Sequence, residues 1–315
     1  MPFVTAFYRA LGTGMVISVD SPIDDKVRSA MESLIEDYEH VLSRFRNDSL
    51  IAAIGKAEHG GSFDFPDWCA PLFDLYDALF SATSGAIDPC VGEDLIRLGY
   101  DASLSFTVTQ DAPEHLGALR GRAVWGRDVT RHGTTLVTHE PVQLDFGACG
   151  KGYLVDLLGR MLQSSQFVID AGGDLLIHAE QPISVALEDP EDQSHAIGIA
   201  HIANGALCAS APSRRHWNVA VNERTQIAIH HLLNAIDGLP AQQTEASWAY
   251  VPANATLNLA RDYPAAVADG LATALFVSDA TQLQRTFDFA YATLDESRQI
   301  AVSRNFPAEL FLRSA

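Results

Sequence analysis

The sequence predicts an α+β fold, mainly antiparallel sheets packed with helices, on three observations. Amphipathic helical stretches and β-like runs are both present, yet helices do not alternate strictly with strands. The runs between the helices are short, several are rich in β-branched residues, and turn signals such as Asp237-Gly238 and Asn204-Gly205 separate neighbours. The 315 residues, 47% hydrophobic and 19% charged, suffice for a sizeable core. No repeat or low-complexity linker stands out. A weak boundary falls near Pro113 to Gly121, but residues 1–315 are read as a single catalytic domain.

The elements follow in chain order. Met15 to Val19 is a β-like run, and Asp20-Ser21-Pro22 then opens the clearest helix. Ser21 fits the N-cap, Pro22 the first turn, and Asp24 and Asp25 the positive helix end. Val27, Met31, Leu34, Ile35, Tyr38, Val41, Leu42 and Phe45 recur on one helical face. A second helix is predicted over Ala70 to Ala82, with Leu72, Phe73, Leu75, Tyr76 and Leu79 as its apolar stripe. Thr134 to Thr138 reads as a strand. A third helix starts near Lys151 and carries Leu154, Leu157, Leu158 and Met161. Strands follow at Phe167 to Asp170, Ile183 to Leu187, Trp217 to Val221 and Ser247 to Val251. Two more helices are predicted around Ala265 to Phe276 and after Ser278.

Net charge is -19, from 40 acidic against 21 basic side chains. That balance argues against nucleic acid, which requires a basic footprint. An anionic ligand would need a local device: a metal ion, a lysine or backbone N–H groups. The N-terminal stretch lacks a long apolar core and is interrupted by Arg9, so no signal peptide is expected. No run reaches the roughly 20 apolar residues of a membrane span, so no membrane insertion is expected. Cys69, Cys90, Cys149 and Cys208 are scattered without a C-x-x-C pair, which disfavours zinc and disulfides and suggests buried thiols. A cytoplasmic location is the resulting expectation.

Four segments are glycine-rich or polar beyond what packing requires: Leu11 to Met15, Ser84 to Pro89 followed by Val91-Gly92, Leu144 to Gly152, and Ala268 to Thr273. Gly12, Gly85 and Gly92 also fit turns with positive φ. Leu144 to Gly152 is not a Walker A loop: two residues, not four, separate Gly147 from Gly150, and Gly152 follows Lys151. A glycine-rich turn entering a helix still presents N–H groups and a positive dipole end, and a lysine there attracts phosphate. Lys151 as a solvated first-turn lysine would sit unfavourably at that end. Asp269 and Thr273, four apart, share a helix face, and their oxygens suit magnesium that also holds phosphate. Asp269 lies amid small and apolar residues, so it is either a cap near its helix start or functionally placed. His230-His231 are adjacent and point different ways along a strand, so they are not joint ligands of one metal. No G-x-S-x-G elbow is present.

The order of these segments resembles the ApbE family of FAD:protein FMN transferases. Gly12-Thr13 resembles the family's M-G-T, with Leu11 in place of methionine, and Ser43-Arg44-Phe45 through Ser49 resembles S-R-F-x-x-x-S. Gly85 to Pro89 with Val91-Gly92 resembles G-x-F-D-P-T-V-G, and Leu144 to Gly152 resembles L-D-L-G-G-I-A-K-G. Ala171-Gly172-Gly173-Asp174 is similar to the G-G-D/N turn. His230 to Leu233 is similar to H-H-I-I, and Ala268 to Thr273 to A-D-A-L-A-T, with Gly270 for alanine. The resemblance implies an ApbE-like fold. It implies FAD against Phe45, Ala86, Ile87 and Asp88, with Asp145 and Lys151 near its polar groups. It implies Mg2+ on Asp269, Thr273 and the carbonyl of Ala148. The family reaction moves FMN from FAD onto a threonine hydroxyl of a partner flavoprotein and releases AMP; His231 and Asp88 are candidates for the general base. Ser210, Asn234, Ala235 and Asp237 stand in altered loops, which keeps two alternatives in view: a FAD pyrophosphatase, and a non-catalytic FAD-binding module.

Overall fold

The computed structural model describes residues 1–222 and 225–311, without the side chains of residues 9 and 220–227. The chain forms two compact units: Met1–Glu36, Gly147–Ala211 and Gln242–Ala315 in the first, Asp37–Phe146 and Pro212–Ala241 in the second. Pro113 to Gly121, read above as a weak boundary, lies inside the second unit. The divisions fall at positions that no change of composition marks.

The first unit is built on a nine-stranded sheet. In spatial order its strands are Phe3–Ala10, Thr13–Val19, Phe167–Asp170, Asp174–Glu188, Ala196–Ser210, Thr244–Pro252, Ala290–Asp295 and Ile300–Val302, with Ala308–Leu310 added to Ala196–Ser210. The named pairings are antiparallel, as the sequence predicts. Leu11 and Gly12, at φ 53 and 69, turn the first hairpin, so Gly12 has a structural reason to be glycine. Ile177, Leu187, Ile202, Leu207, Trp248, Leu294 and Ile300 form the core on this sheet.

Asn204-Gly205 is not a turn. Both residues lie within Ala196–Ser210, where Gly205 at φ 130 faces Pro252 and a Cβ would meet the Val251 carbonyl at 2.4 Å. Glycine serves here as a point of close backbone approach inside a strand.

Helix bounds match the apolar periodicity closely. Ala70–Ala82 is helical and buries Leu72, Phe73, Leu75, Tyr76 and Leu79. The helices Gly150–Gly159, Pro264–Ala274 and Ala280–Leu283 correspond to the three predicted further along. The first helix starts later than expected, at Asp25, because Asp24 rather than Ser21 caps it: Val27 N–H donates to Asp24 Oδ1 at 2.8 Å. Met31, Ile35, Tyr38 and Leu42 are its buried face.

In the second unit, Gly61–Asp64, Thr135–Thr138 and Val129–His132 form a small sheet, and His216–Asn222 pairs with Thr225–His230. Asp237-Gly238 does lie between two short paired strands, Leu233–Asn234 and Leu239–Pro240. Phe73 packs between Phe65 and Phe146, at centroid distances of 5.1 and 5.5 Å. Gly85 keeps the expected positive φ of 88, but Gly92 is helical at φ -52. Its reason is space, since a Cβ would meet the Gln143 carbonyl at 2.7 Å. All four cysteines are buried and unbridged. Among the described residues no helix is long and apolar enough to cross a membrane.

Candidate functional site

In the first unit, two helices approach so closely that a Cβ on Gly152 would meet the Ala265 carbonyl oxygen at 2.1 Å. Each helix donates the N–H groups of its first turn to an aspartate on the other. Ala265 N and Ala266 N donate to Asp156 at 3.1 and 2.8 Å, and Gly152 N donates to Asp269 Oδ2 at 3.0 Å. Asp269 therefore does not cap its own helix; it lies inside Pro264–Ala274 and serves the helix Gly150–Gly159. Gly152→Ala is expected to push the helices apart and cost about 1–3 kcal/mol, read by urea unfolding.

Burial pushes Asp156 up to about 8, against the pull of the two N–H donors. A carboxyl whose folded pKa exceeds its unfolded value of 3.8 holds an extra proton in the folded state. Its contribution to stability is thus largest at low pH and falls as pH rises from about 4 to about 8. Asp156→Asn is expected to flatten the stability curve across that interval, measured by chemical unfolding at stepped pH.

Lys151 follows Gly150, and its ammonium stands 2.7 Å from Asp174 Oδ2 and 3.1 Å from Asp269 Oδ1. Both carboxylates are 1% exposed, whereas the lysine side chain keeps 35% of its surface open. Burial would lower the ammonium's pKa, but Asp174 and Asp269 outweigh it and hold the group charged. Burial and the Asp174 charge push Asp269 up to about 7, against the pull of Lys151 and the Gly152 N–H. One turn on, Thr273 Oγ1 donates to the Ala148 carbonyl at 3.4 Å and lies 3.4 Å from Ser210 Oγ. The structure therefore gathers Asp269, Lys151, Thr273 and Ala148.

A carboxylate, a hydroxyl and a backbone carbonyl are hard oxygen donors and fit a magnesium ion. Among the described residues no group of three or more His, Cys, Asp and Glu side chains forms a metal cage. The donor set is hence partial, as suits an ion that completes its shell with phosphate oxygens and water.

In the second unit, Arg44 carries the arrangement around Phe45. Its Nε donates to Asp145 Oδ2 and its Nη1 to the Tyr100 carbonyl at 2.5 Å. The guanidinium lies 4.1 Å from the Phe45 ring centre and 4.7 Å from that of Tyr100. Tyr100 stacks on Trp217 at 5.8 Å, and His231 meets the Tyr100 ring edge-on at 6.4 Å. Phe45 is 42% exposed, while Arg44 Nη2 is buried without a hydrogen-bond partner. An open ring face beside a guanidinium with a spare N–H suits a planar ligand that accepts hydrogen bonds.

Ala86, Ile87 and Asp88 are buried. The Asp88 carboxylate accepts from Cys90 N at 2.8 Å and Arg122 Nη1 at 3.3 Å, so its oxygens serve its own turn and an internal ion pair. His230 Nε2 contacts the Ala241 carbonyl at 2.9 Å and its Nδ1 accepts from Leu232 N, which makes it a structural, neutral histidine; burial lowers its pKa. His231 Nδ1 lies 3.1 Å from the Arg215 carbonyl. Asp174, Asp156, Tyr100 and Trp217 carry no individual role in the sequence reading. Only Asp174 had a local signal, the paired glycines before it.

Comparison with known proteins bears on this arrangement. Residues 11–293 match the model of the ApbE family. The FAD:protein FMN transferase of Klebsiella pneumoniae (strain 342) is 22% identical over 236 residues, 71% of this chain and 66% of that protein. The FAD:protein FMN transferase of Treponema pallidum (strain Nichols) is 27% identical over 286 residues, 80% of this chain and 72% of that protein. The chain thus spans just under two thirds of the first relative's length. The crystal structure of the ApbE protein from Thermotoga maritima superimposes with a TM-score of 0.78 at 20% identity, covering 98% of this chain and 99% of that one. The flavin transferase ApbE from Vibrio cholerae gives 0.76 at 17% identity, covering 96% and 97%. At these identities the likeness is one of fold, and it bears out the expected architecture.

Proposed function

The chain belongs to the ApbE family, and on that premise we propose that it is a magnesium-dependent FAD:protein FMN transferase. It would move FMN from FAD onto a threonine hydroxyl of a partner flavoprotein and release AMP. The observation that carries this reading is the meeting of Asp269, Thr273 and the Ala148 carbonyl beside Lys151. The two curated relatives share the name of that activity.

Magnesium held by Asp269, Thr273 and Ala148 would offset charge on the pyrophosphate of FAD. Lys151 supplies a permanent positive charge for the phosphates, kept protonated by its two carboxylates. Phe45 would offer a ring face to the flavin, and Asp145, paired with Arg44, would lie near its polar groups. Ala86, Ile87 and Asp88 are the further residues that FAD would lie against, and His231 is the candidate to take the acceptor's proton. In the reaction the threonine oxygen bonds to the phosphorus of the FMN half, the bond to AMP breaks, and the hydroxyl proton leaves. The free cysteines support a cytoplasmic setting.

The test is incubation with FAD, with and without magnesium and a threonine-bearing acceptor, following AMP by chromatography and acceptor mass. Magnesium-dependent AMP release with a gain of one FMN on the acceptor is expected. AMP and free FMN without a mass gain would make the protein a FAD pyrophosphatase. FAD left intact under all conditions would make it a binding module.

A further inference from the structure

Lys151 is a single positive charge shared by two buried carboxylates. Asp269 has other compensation, the Gly152 N–H at 3.0 Å. Asp174 has none: apart from the Lys151 ammonium at 2.7 Å from Oδ2, neither of its oxygens has a polar partner among the described residues. The contacts of the ammonium to Asp269 are longer, 3.1 and 3.4 Å. We propose that Asp174 is a positioning residue which holds Lys151 off Asp269 and so keeps the Asp269 carboxylate open to a divalent cation. This inference rests on the reading that Asp269 is a metal ligand.

The backbone explains why Asp174 stays put while Lys151 yields. Asp174 opens a central strand of the sheet, paired with Cys208, and its carbonyl accepts the Ala171 N–H at 3.0 Å. Lys151 is a long, flexible side chain with 35% of its surface exposed. Without Asp174, the ammonium would settle wholly on Asp269, and an arriving cation would have to expel it. With Asp174 present, the ammonium gives up one of two partners and remains paired.

The test measures Mn2+ affinity of the full chain without FAD, by titration calorimetry and the loss of the free-ion EPR signal. Asp174→Asn is expected to weaken Mn2+ binding roughly ten- to a hundredfold, as losses of groups that orient a metal's ligands do. Lys151→Met, which removes the competing cation, is expected to strengthen it about tenfold. Because Asp174 acts through Lys151, Asp174→Asn should change affinity little in the Lys151→Met background. Unchanged affinity in Asp174→Asn, with wild type binding Mn2+, would overturn the inference alone. An equal loss in both backgrounds would also overturn it, by showing that Asp174 acts on the ion directly. If Asp174→Asn does not fold by circular dichroism, weaker binding in Lys151→Met decides against the inference. A wild-type chain that binds no Mn2+ would instead defeat the metal reading itself.

Discussion

Asp269→Ala is expected to abolish the proposed magnesium-dependent AMP release while leaving a folded protein. The substitution removes the only carboxylate among the three proposed ligand groups, and a metal's charge stabilisation amounts to several kcal/mol. The expected loss is therefore roughly a thousandfold or more in rate. Stability should fall only modestly. One buried N–H, that of Gly152, loses its acceptor, at about 1–3 kcal/mol, and this is offset as the repulsion between Asp269 and Asp174 disappears. Lys151 keeps Asp174 as its partner. The measurements are AMP release with and without magnesium and urea unfolding of the same preparation. Retained activity with a stability loss alone would show Asp269 to be a cross-helix cap and nothing more.

Arg122→Met is the substitution expected to cost the most stability, about 3–5 kcal/mol. The Arg122 side chain is fully buried, with Nε 2.8 Å from Asp94 Oδ2 and Nη1 3.3 Å from Asp88 Oδ2. It also donates to the carbonyls of Ala123 and Ala235. Methionine, shorter and uncharged, would leave two buried carboxylates without a cation and the Ala123 carbonyl without its donor, whereas the Ala235 carbonyl keeps the Ala118 N–H. Burial already pushes Asp94 up to about 6, with Arg122 pulling the other way. A raised folded pKa means that protonation favours the folded state, so the Asp94 contribution grows as pH falls through about 6 toward 4. Loss of Arg122 should raise that pKa further and strengthen the effect. The deficit of Arg122→Met, measured by chemical unfolding, is thus expected to shrink between pH 7 and pH 5. A deficit that does not change with pH would mean that Asp94 is not charged in the folded variant.

Local patterns were legible where one face of an element decides its fate. The stripe from Leu72 to Leu79 specifies a helix over Ala70–Ala82 because burial of that face and the helical period coincide. The strand Ala196–Ser210 was not legible, since Asn204-Gly205 reads as a turn. In the sheet, Gly198 is where a Cβ would meet the Glu309 carbonyl at 2.7 Å, and Gly205 faces Val251. The packing that selects glycine there comes from strands far along the chain.

The same division runs through the site. Asp269 and Thr273 were readable as a pair because helical spacing places i and i+4 on one face. Lys151 was readable because it opens a helix behind glycines. The antiparallel α+β architecture and the order of the family's landmarks were legible in the same local way. What those residues meet is set by the packing of distant segments. Lys151 reaches Asp269 across 118 positions, and Arg44 reaches Asp145 across 101. Asp156 takes the first N–H groups of a helix more than a hundred residues away, and Asp174 supplies Lys151 with its second carboxylate. Local propensity specifies which faces are apolar and where helices begin. Pairing between distant charges depends on which backbones pack close enough to bury them together, and that is a property of the folded chain.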